Sequence, residues 1–172
     1  MKALTFWKTV VADKAEFLDR VIALLTDNDI RYAVIGGQGV NAYADPVVSL
    51  DLDIAVALDQ IDLAESLLGE YFKVERFPHS LNVSESESDL RLQVQTDDRY
   101  PPFVDRAELR EVLGKMLFVA AIEDVLQGKI WAASDPTRRS SKRLKDLADI
   151  ARIIEVRPGL LSMIPEEIKQ RL

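Results

Sequence analysis

Asp51-Leu52-Asp53 is the segment of this chain best suited to chemistry. It lies in an alternating run from Leu50 to Leu58. Leu50, Leu52, Ile54, Val56 and Leu58 fall on one side, and Asp51, Asp53, Ala55 and Ala57 on the other. Residues two apart in a strand share a face, so both carboxylates project together. Such a pair repels, and each member resists ionisation unless a cation lies between them. A hard divalent ion with oxygen ligands, typically Mg²⁺, resolves that conflict. The opposite, apolar side suits burial, which would hold the pair rigid. The alternative is two solvated acids on an edge strand.

Gly36-Gly37-Gln38-Gly39 follows an apolar strand, Arg31 to Gly36, and precedes a short helix that starts near Gln38. Glycines let backbone N–H groups come close to an anion, and a helix start favours negative charge. A plain tight turn is the other use of such a segment. The helix must stop before Asp45-Pro46, because proline disfavours helix at the residue before it. Gly37-Gln-Gly39-Val-Asn-Ala42 also fits the dinucleotide fingerprint G-x-G-x-x-A. A parallel crossover needs a dozen or more residues, and too few lie between this loop and the strand at Leu50. The two strands are therefore expected to be antiparallel neighbours, with the glycine loop beside the aspartates.

The chain carries a net charge of -7, which argues against coating nucleic acid. Its basic residues are nonetheless concentrated. From Lys129 to Lys145 there are six (Lys129, Arg138, Arg139, Lys142, Arg143, Lys145) against one acid, Asp135. This patch suits a local anionic ligand such as a phosphate chain, or else a solvated helix start. The chain has no cysteine, which excludes disulfides, thiolate zinc sites and a cysteine nucleophile. His79, beside Pro78, reads as a loop residue. No apolar run approaches the roughly 20 residues of a membrane span. Met1 to Trp7 lacks the pattern of a signal peptide, so a cytoplasmic protein is expected.

The remaining pattern supplies the frame. Helices are expected over Asp13 to Asp27 and Gln60 to Glu70, and strands over Tyr71 to Phe77, Asp89 to Thr96 and Met116 to Val119. Polar loops fall at Ser84 to Ser88 and Asp97 to Pro102. Helices then follow over Ala121 to Ala133 and Thr137 to Glu155, with a last helical segment to Leu172. The fold class is α/β (α+β): one domain over 1–172, with a mixed-sheet core over about 1–120 and a helical C-terminal part over about 121–172. Lys129 sits at the edge of an apolar stripe of Ile122, Val125, Leu126 and Ile130, and its ammonium is placed to reach into a cleft. Trp131 is expected in the core between the C-terminal helices. On the second of these helices Lys142, Lys145, Asp146, Asp149 and Arg152 share one polar face. Lys142–Asp146 and Lys145–Asp149 have the spacing of ordinary i,i+4 pairs.

Val34-Ile-Gly-Gly-Gln-Gly-Val-Asn-Ala-Tyr43 followed by Ser49-Leu-Asp-Leu-Asp-Ile-Ala-Val56 resembles the core of the DNA polymerase β-type nucleotidyltransferase superfamily. It is similar, more narrowly, to small bacterial proteins grouped with AbiEii-type and MenT-type toxins. Ile122-Glu-Asp-Val-Leu-Gln-Gly-Lys-Ile-Trp-Ala132 resembles their lysine-bearing helix, and Lys145-Asp146-Leu-Ala-Asp149-Ile their Lys-Asp helix. The likeness spans roughly 31–154. It implies a nucleotidyltransferase-like core in which Asp51 and Asp53 bind Mg²⁺. Gly36, Gly37, Gln38 and Ser49 would line the nucleotide, Lys129 and Asp146 would assist the chemistry, and Arg139, Lys142, Arg143 and Lys145 would offset triphosphate charge.

Two positions depart from that pattern. The relatives' Arg-x-Thr before the aspartates reads Val47 and Ser49 here. The third carboxylate of polymerising members falls at Gln93, while Asp89 shares that face at the start of its strand and becomes the candidate extra metal ligand. The expectation is Mg²⁺-dependent transfer of a nucleotidyl group from an NTP to a protein, an RNA such as tRNA, or a small molecule. The resemblance adds a possible antitoxin partner, and the charge argues against long duplex DNA. Val47 and Gln93 favour the alternative, an inactive nucleotide- or partner-binding module on the same fold.

Overall fold

The computed structural model describes residues 16–172; the expected helix start at Asp13 lies outside them. Helix α1 covers residues 16–27 and turns Phe17, Leu18, Val21 and Leu25 inward, all at most 2% exposed. Their spacing of one, three and four is that of one helical face. Asp29 closes the turn with a positive φ of 54°, and the chain enters strand β1, Tyr32–Ile35. Helix α2 follows at once, Gly36–Asn41, two residues earlier than the sequence pattern places it.

Strand β2, Asp51–Val56, carries the two aspartates. Helix α3 spans Ile61–Tyr71. Strands β3 (Lys73–Phe77), β4 (Ser80–Ser84) and β5 (Arg91–Gln95) follow. A 3-10 turn, Pro101–Arg106, leads into β6 (Glu108–Val112) and β7 (Lys115–Val119). Helices α4 (Ile122–Ser134), α5 (Ser140–Val156) and α6 (Glu166–Lys169) complete the chain.

The seven strands form one mixed sheet in the order β3-β4-β5-β2-β1-β7-β6. β1 and β2 are antiparallel, with Ile35 opposite Asp53, as the short connection requires. A dinucleotide-type parallel crossover at the glycine loop is thereby ruled out. β5 runs parallel to β2 on its other side, and β7 parallel to β1.

β2 shows how the sequence divides the molecule. Leu52, Ile54 and Val56 enter a core shared with α1 and α3. Ala55 enters a second core, on the opposite face, shared with α4 and α5. Asp51 and Asp53 point to that second side, so the C-terminal helices cover the face that bears the carboxylates. Each fully buried leucine or isoleucine contributes about 1.5–3 kcal/mol by leaving water.

β4 and β6 were not anticipated. Ser80-Leu-Asn-Val-Ser84 does alternate, with Leu81 and Val83 fully buried, but it is five residues long and joined to β3 by a Pro78-His79 turn. β6 is an edge strand, Glu-Leu-Arg-Glu-Val, whose charges suit an unpaired edge and hide the strand pattern. Trp131 also departs from expectation. It stacks on Phe103 at 5.8 Å with the rings 6° from parallel, meets Tyr100 edge-on, and is capped by the Arg99 guanidinium. It packs against the loop before β6 and against the second core, half-buried rather than fully enclosed.

Candidate active site

The end of β1 brings backbone directly against the second aspartate. Gly36 has φ +64°, and a side-chain carbon on it would overlap the Asp53 carboxylate, lying 3.0 Å from both its Cβ and its Cγ. Only glycine tolerates that conformation and that approach without strain. Gly37 has open space where a Cβ would be, whereas Gly39 abuts Val125 of α4. The three glycines therefore have different uses: contact with Asp53, an open face, and helix packing.

A cleft on the α4/α5 side is lined by Gly36, Asp53, Gln95, Tyr100, Lys129, Arg138 and Asp146. Burial pushes the Asp53 carboxyl above the usual carboxylate range. Lys129 opposes that rise, Asp51 adds to it, and Arg138 and Lys145 oppose it. Two acids on one face, one of them resisting ionisation, is the donor set a single hard divalent cation would relieve. The residues present fit one such ion. Among the described residues no three His, Cys, Asp or Glu are grouped to hold a metal. Asp89 is exposed in the bend ahead of β5. Gln93 stands opposite Asp53 in the sheet.

Lys129 is itself buried, between Asp146 at 3.1 Å and Asp149 at 2.8 Å. Burial alone would lower its pKa, but Asp149 and Asp146 outweigh burial and hold it above the ordinary lysine value. Arg138 donates to the far oxygen of Asp146 at 2.7 Å. The i,i+4 pairs expected on α5 do not form among the described contacts. Asp146 and Asp149 turn inward to Lys129, and Arg152 joins Asp149 at 2.9 Å.

A second set of bonds fixes the approach to β2. Gln38 donates to the Ser49 carbonyl at 3.1 Å and accepts from Asn41 at 3.1 Å. Asn41 and Val47 bond reciprocally at 2.8 and 3.0 Å, and the Ser49 hydroxyl accepts from the Asp51 amide at 3.3 Å. The side chains of Gln38 and Ser49 thus hold the strand that presents Asp51. Arg139 precedes the first turn of α5. Lys142 and Arg143 are half-buried, and Lys145 is exposed.

Comparison with solved structures identifies the fold. ANT(2'')-Ia in complex with adenylyl-2''-tobramycin superposes with a TM-score of 0.62 at 11% identity, covering 91% of this chain and 97% of that one. The fold is a nucleotidyltransferase fold. The lincosamide antibiotic adenylyltransferase LnuA, bound to lincomycin, matches with a TM-score of 0.53 at 15% identity, over 79% of this chain and 95% of that one. An antigenic nucleotidyltransferase-like protein from Paracoccidioides brasiliensis gives 0.55 at 20% identity, over 84% and 76%. No protein-family profile and no curated protein matches the sequence.

Within this nucleotidyltransferase fold the cleft gathers Gly36, Asp53, Lys129 and Asp146 of the residues the sequence singled out. Neither Asp51 nor Asp89 is among the residues that line it. The sequence reading missed Arg91, Tyr100 and the individual weight of Arg138. Arg91 was visible as a neighbour of Gln93 on the aspartates' face of β5. Its pairing with Asp51 depends on the β2–β5 register, which no local pattern encodes. Among the described residues no helix is long and apolar enough to cross a membrane.

Proposed function

We propose that this protein transfers a nucleotidyl group from an NTP to an acceptor, using Mg²⁺ held by Asp51 and Asp53. One observation carries the reading: the glycine turn is pressed against Asp53 in the lining of a cleft that also holds Lys129, Arg138 and Asp146. Asp51 and Asp53 would hold the ion, which would supply positive charge to offset the negative charge of the triphosphate.

The chain's own residues do the rest. Gly37 leaves an open approach to backbone N–H groups for the phosphates. Lys129 is fixed by two carboxylates, so its charge is held beside Asp53 without reorganisation. Arg138, anchored on Asp146, and Lys145 place further positive charge toward Asp53. Arg139, Lys142 and Arg143 extend that charge along the first turns of α5. Asp146 orients Lys129 and Arg138. Gln38 and Ser49 hold the β2 entrance.

ANT(2'')-Ia with adenylyl-2''-tobramycin and LnuA with lincomycin support a small-molecule acceptor. The narrower likeness to AbiEii-type and MenT-type proteins, carried by the Lys129 and Lys145-Asp146 helices, supports an RNA or protein acceptor and an antitoxin partner. A second reading, an inactive nucleotide- or partner-binding module, is favoured by Gln93 opposite Asp53. The deciding experiment is Mg²⁺-dependent binding and turnover of each labelled NTP, by wild type and by Asp51→Ala/Asp53→Ala. Pyrophosphate release lost in the variant supports the enzyme. Metal-dependent binding without release, across a panel of acceptors, selects the binding module. No binding to any NTP removes the nucleotide reading.

A further inference from the structure

β5 places Arg91 opposite Asp51 and Gln93 opposite Asp53. In parallel neighbours these pairs share a face, so the site's first carboxylate has an arginine beside it. Arg91 Nη2 lies 3.0 Å from Asp51 Oδ1, and its side chain is 69% exposed. Among the described residues the guanidinium makes no other side-chain bond, so most of its donors face solvent.

Such an exposed pair is weak. Asp51 must also give its carboxylate to any divalent cation the pair binds, and a guanidinium held against that carboxylate repels the cation. An anion arriving with the metal removes the conflict, because a guanidinium fork matches phosphate oxygens. We propose that Arg91 is a phosphate-binding residue: it is the counter-ion of Asp51, and it passes to the polyphosphate of an incoming nucleotide when Asp51 serves as a ligand to a divalent cation. The inference rests on the nucleotide reading of the cleft. It assigns Arg91 to the triphosphate or pyrophosphate part of the ligand, independent of the base.

The test uses the full chain with Mn²⁺ as the metal and inorganic tripolyphosphate as a base-free ligand, followed by calorimetry. Wild type, Arg91→Gln and Arg91→Lys are compared after thermal melts establish that all three fold. Two opposite changes are expected in Arg91→Gln. Mn²⁺ alone binds a few-fold more tightly, because its competitor is gone. Tripolyphosphate with saturating Mn²⁺ binds roughly tenfold more weakly, from loss of a charge-assisted contact. Arg91→Lys falls between. A purely structural arginine would not move the two affinities in opposite directions. Unchanged tripolyphosphate affinity in Arg91→Gln, with wild type binding normally, overturns the assignment alone. Failure of wild type to bind tripolyphosphate or any NTP with Mn²⁺ overturns the assignment and the nucleotide reading together.

Discussion

Gly36 and the Asp53 carboxylate are in such close contact that no side chain fits between them. The contact makes the two neighbouring glycines distinguishable by experiment. Gly36→Ala must adopt a left-handed backbone, costing about 1–2 kcal/mol, and must also displace Asp53. Gly37→Ala meets open space in a helix, where alanine is favoured over glycine by up to about 1 kcal/mol. Urea unfolding should therefore show Gly36→Ala clearly destabilised and Gly37→Ala unchanged or stabilised. If Gly37 lies against phosphates, the Gly37→Ala protein should fold and yet bind NTP poorly. Normal NTP binding by that variant would remove Gly37 from the phosphate site.

Asp53 gives a pH-dependent prediction. Burial raises its pKa in the folded chain, Lys129 partly offsets this, and Asp51 adds to it. The folded protein therefore keeps a proton that the unfolded chain releases. That contribution is fully present below the unfolded carboxylate value, about pH 4, and is lost as pH rises through the higher folded value. In metal-free protein at pH 8, Asp53→Asn should melt above wild type, by roughly 2–4 °C for each kcal/mol regained. The difference should vanish near pH 4. Mg²⁺ should raise the melting temperature of wild type and leave Asp53→Asn where it was. A wild-type protein indifferent to Mg²⁺ would argue against a metal at this pair.

These two residues also show what the sequence made legible. Alternation from Leu50 to Leu58 set both the apolar face of β2 and the direction of the aspartates, and the short link to Pro46 set the antiparallel pairing. The long C-terminal helices were equally plain from their periodicity. The inward turn of Asp146 and Asp149 was not, because spacing along one helix suggests partners on that helix, whereas Lys129 lies on another. Arg91 escaped notice for a similar reason: strand register is a tertiary property. β6 was hidden because an edge strand is selected for charge rather than for apolar alternation.

Lys129 holds two buried carboxylates apart. Removing the central cation of such a cluster costs about 3–5 kcal/mol, because the remaining charges stay buried and uncompensated. Lys129→Met should show a loss of that size in urea unfolding. Lys129→Met/Asp149→Asn should lose less than the sum of its two single changes, since the groups act as one unit. Additive losses would mean that Lys129 and Asp149 do not share their charge in solution, and the rigid placement of Lys129 beside Asp53 would lose its basis.

Arg152 ties α5 to the segment that delivers β2. Its guanidinium donates to Asp149 at 2.9 Å, to the Asn41 side chain at 2.8 Å and to the Asp45 carbonyl at 2.5 Å. Asn41 in turn clasps Val47. Residues 42–50 contain no strand or long helix of their own, so these bonds restrain them together with those of Gln38 to the Ser49 carbonyl and of the Tyr43 hydroxyl to the Ala120 carbonyl. Arg152→Ala should leave the sheet core intact but let the segment open locally. Hydrogen exchange at the Val47 amide should accelerate by roughly tenfold for each 1.4 kcal/mol of restraint lost, with little change at the buried amides of β1. Since Ser49 bonds the Asp51 amide from the end of this segment, metal-dependent NTP binding should weaken in parallel. Exchange at Val47 as slow as in wild type would show that the segment is held by packing alone, and the tie from α5 to Asp51 would not exist.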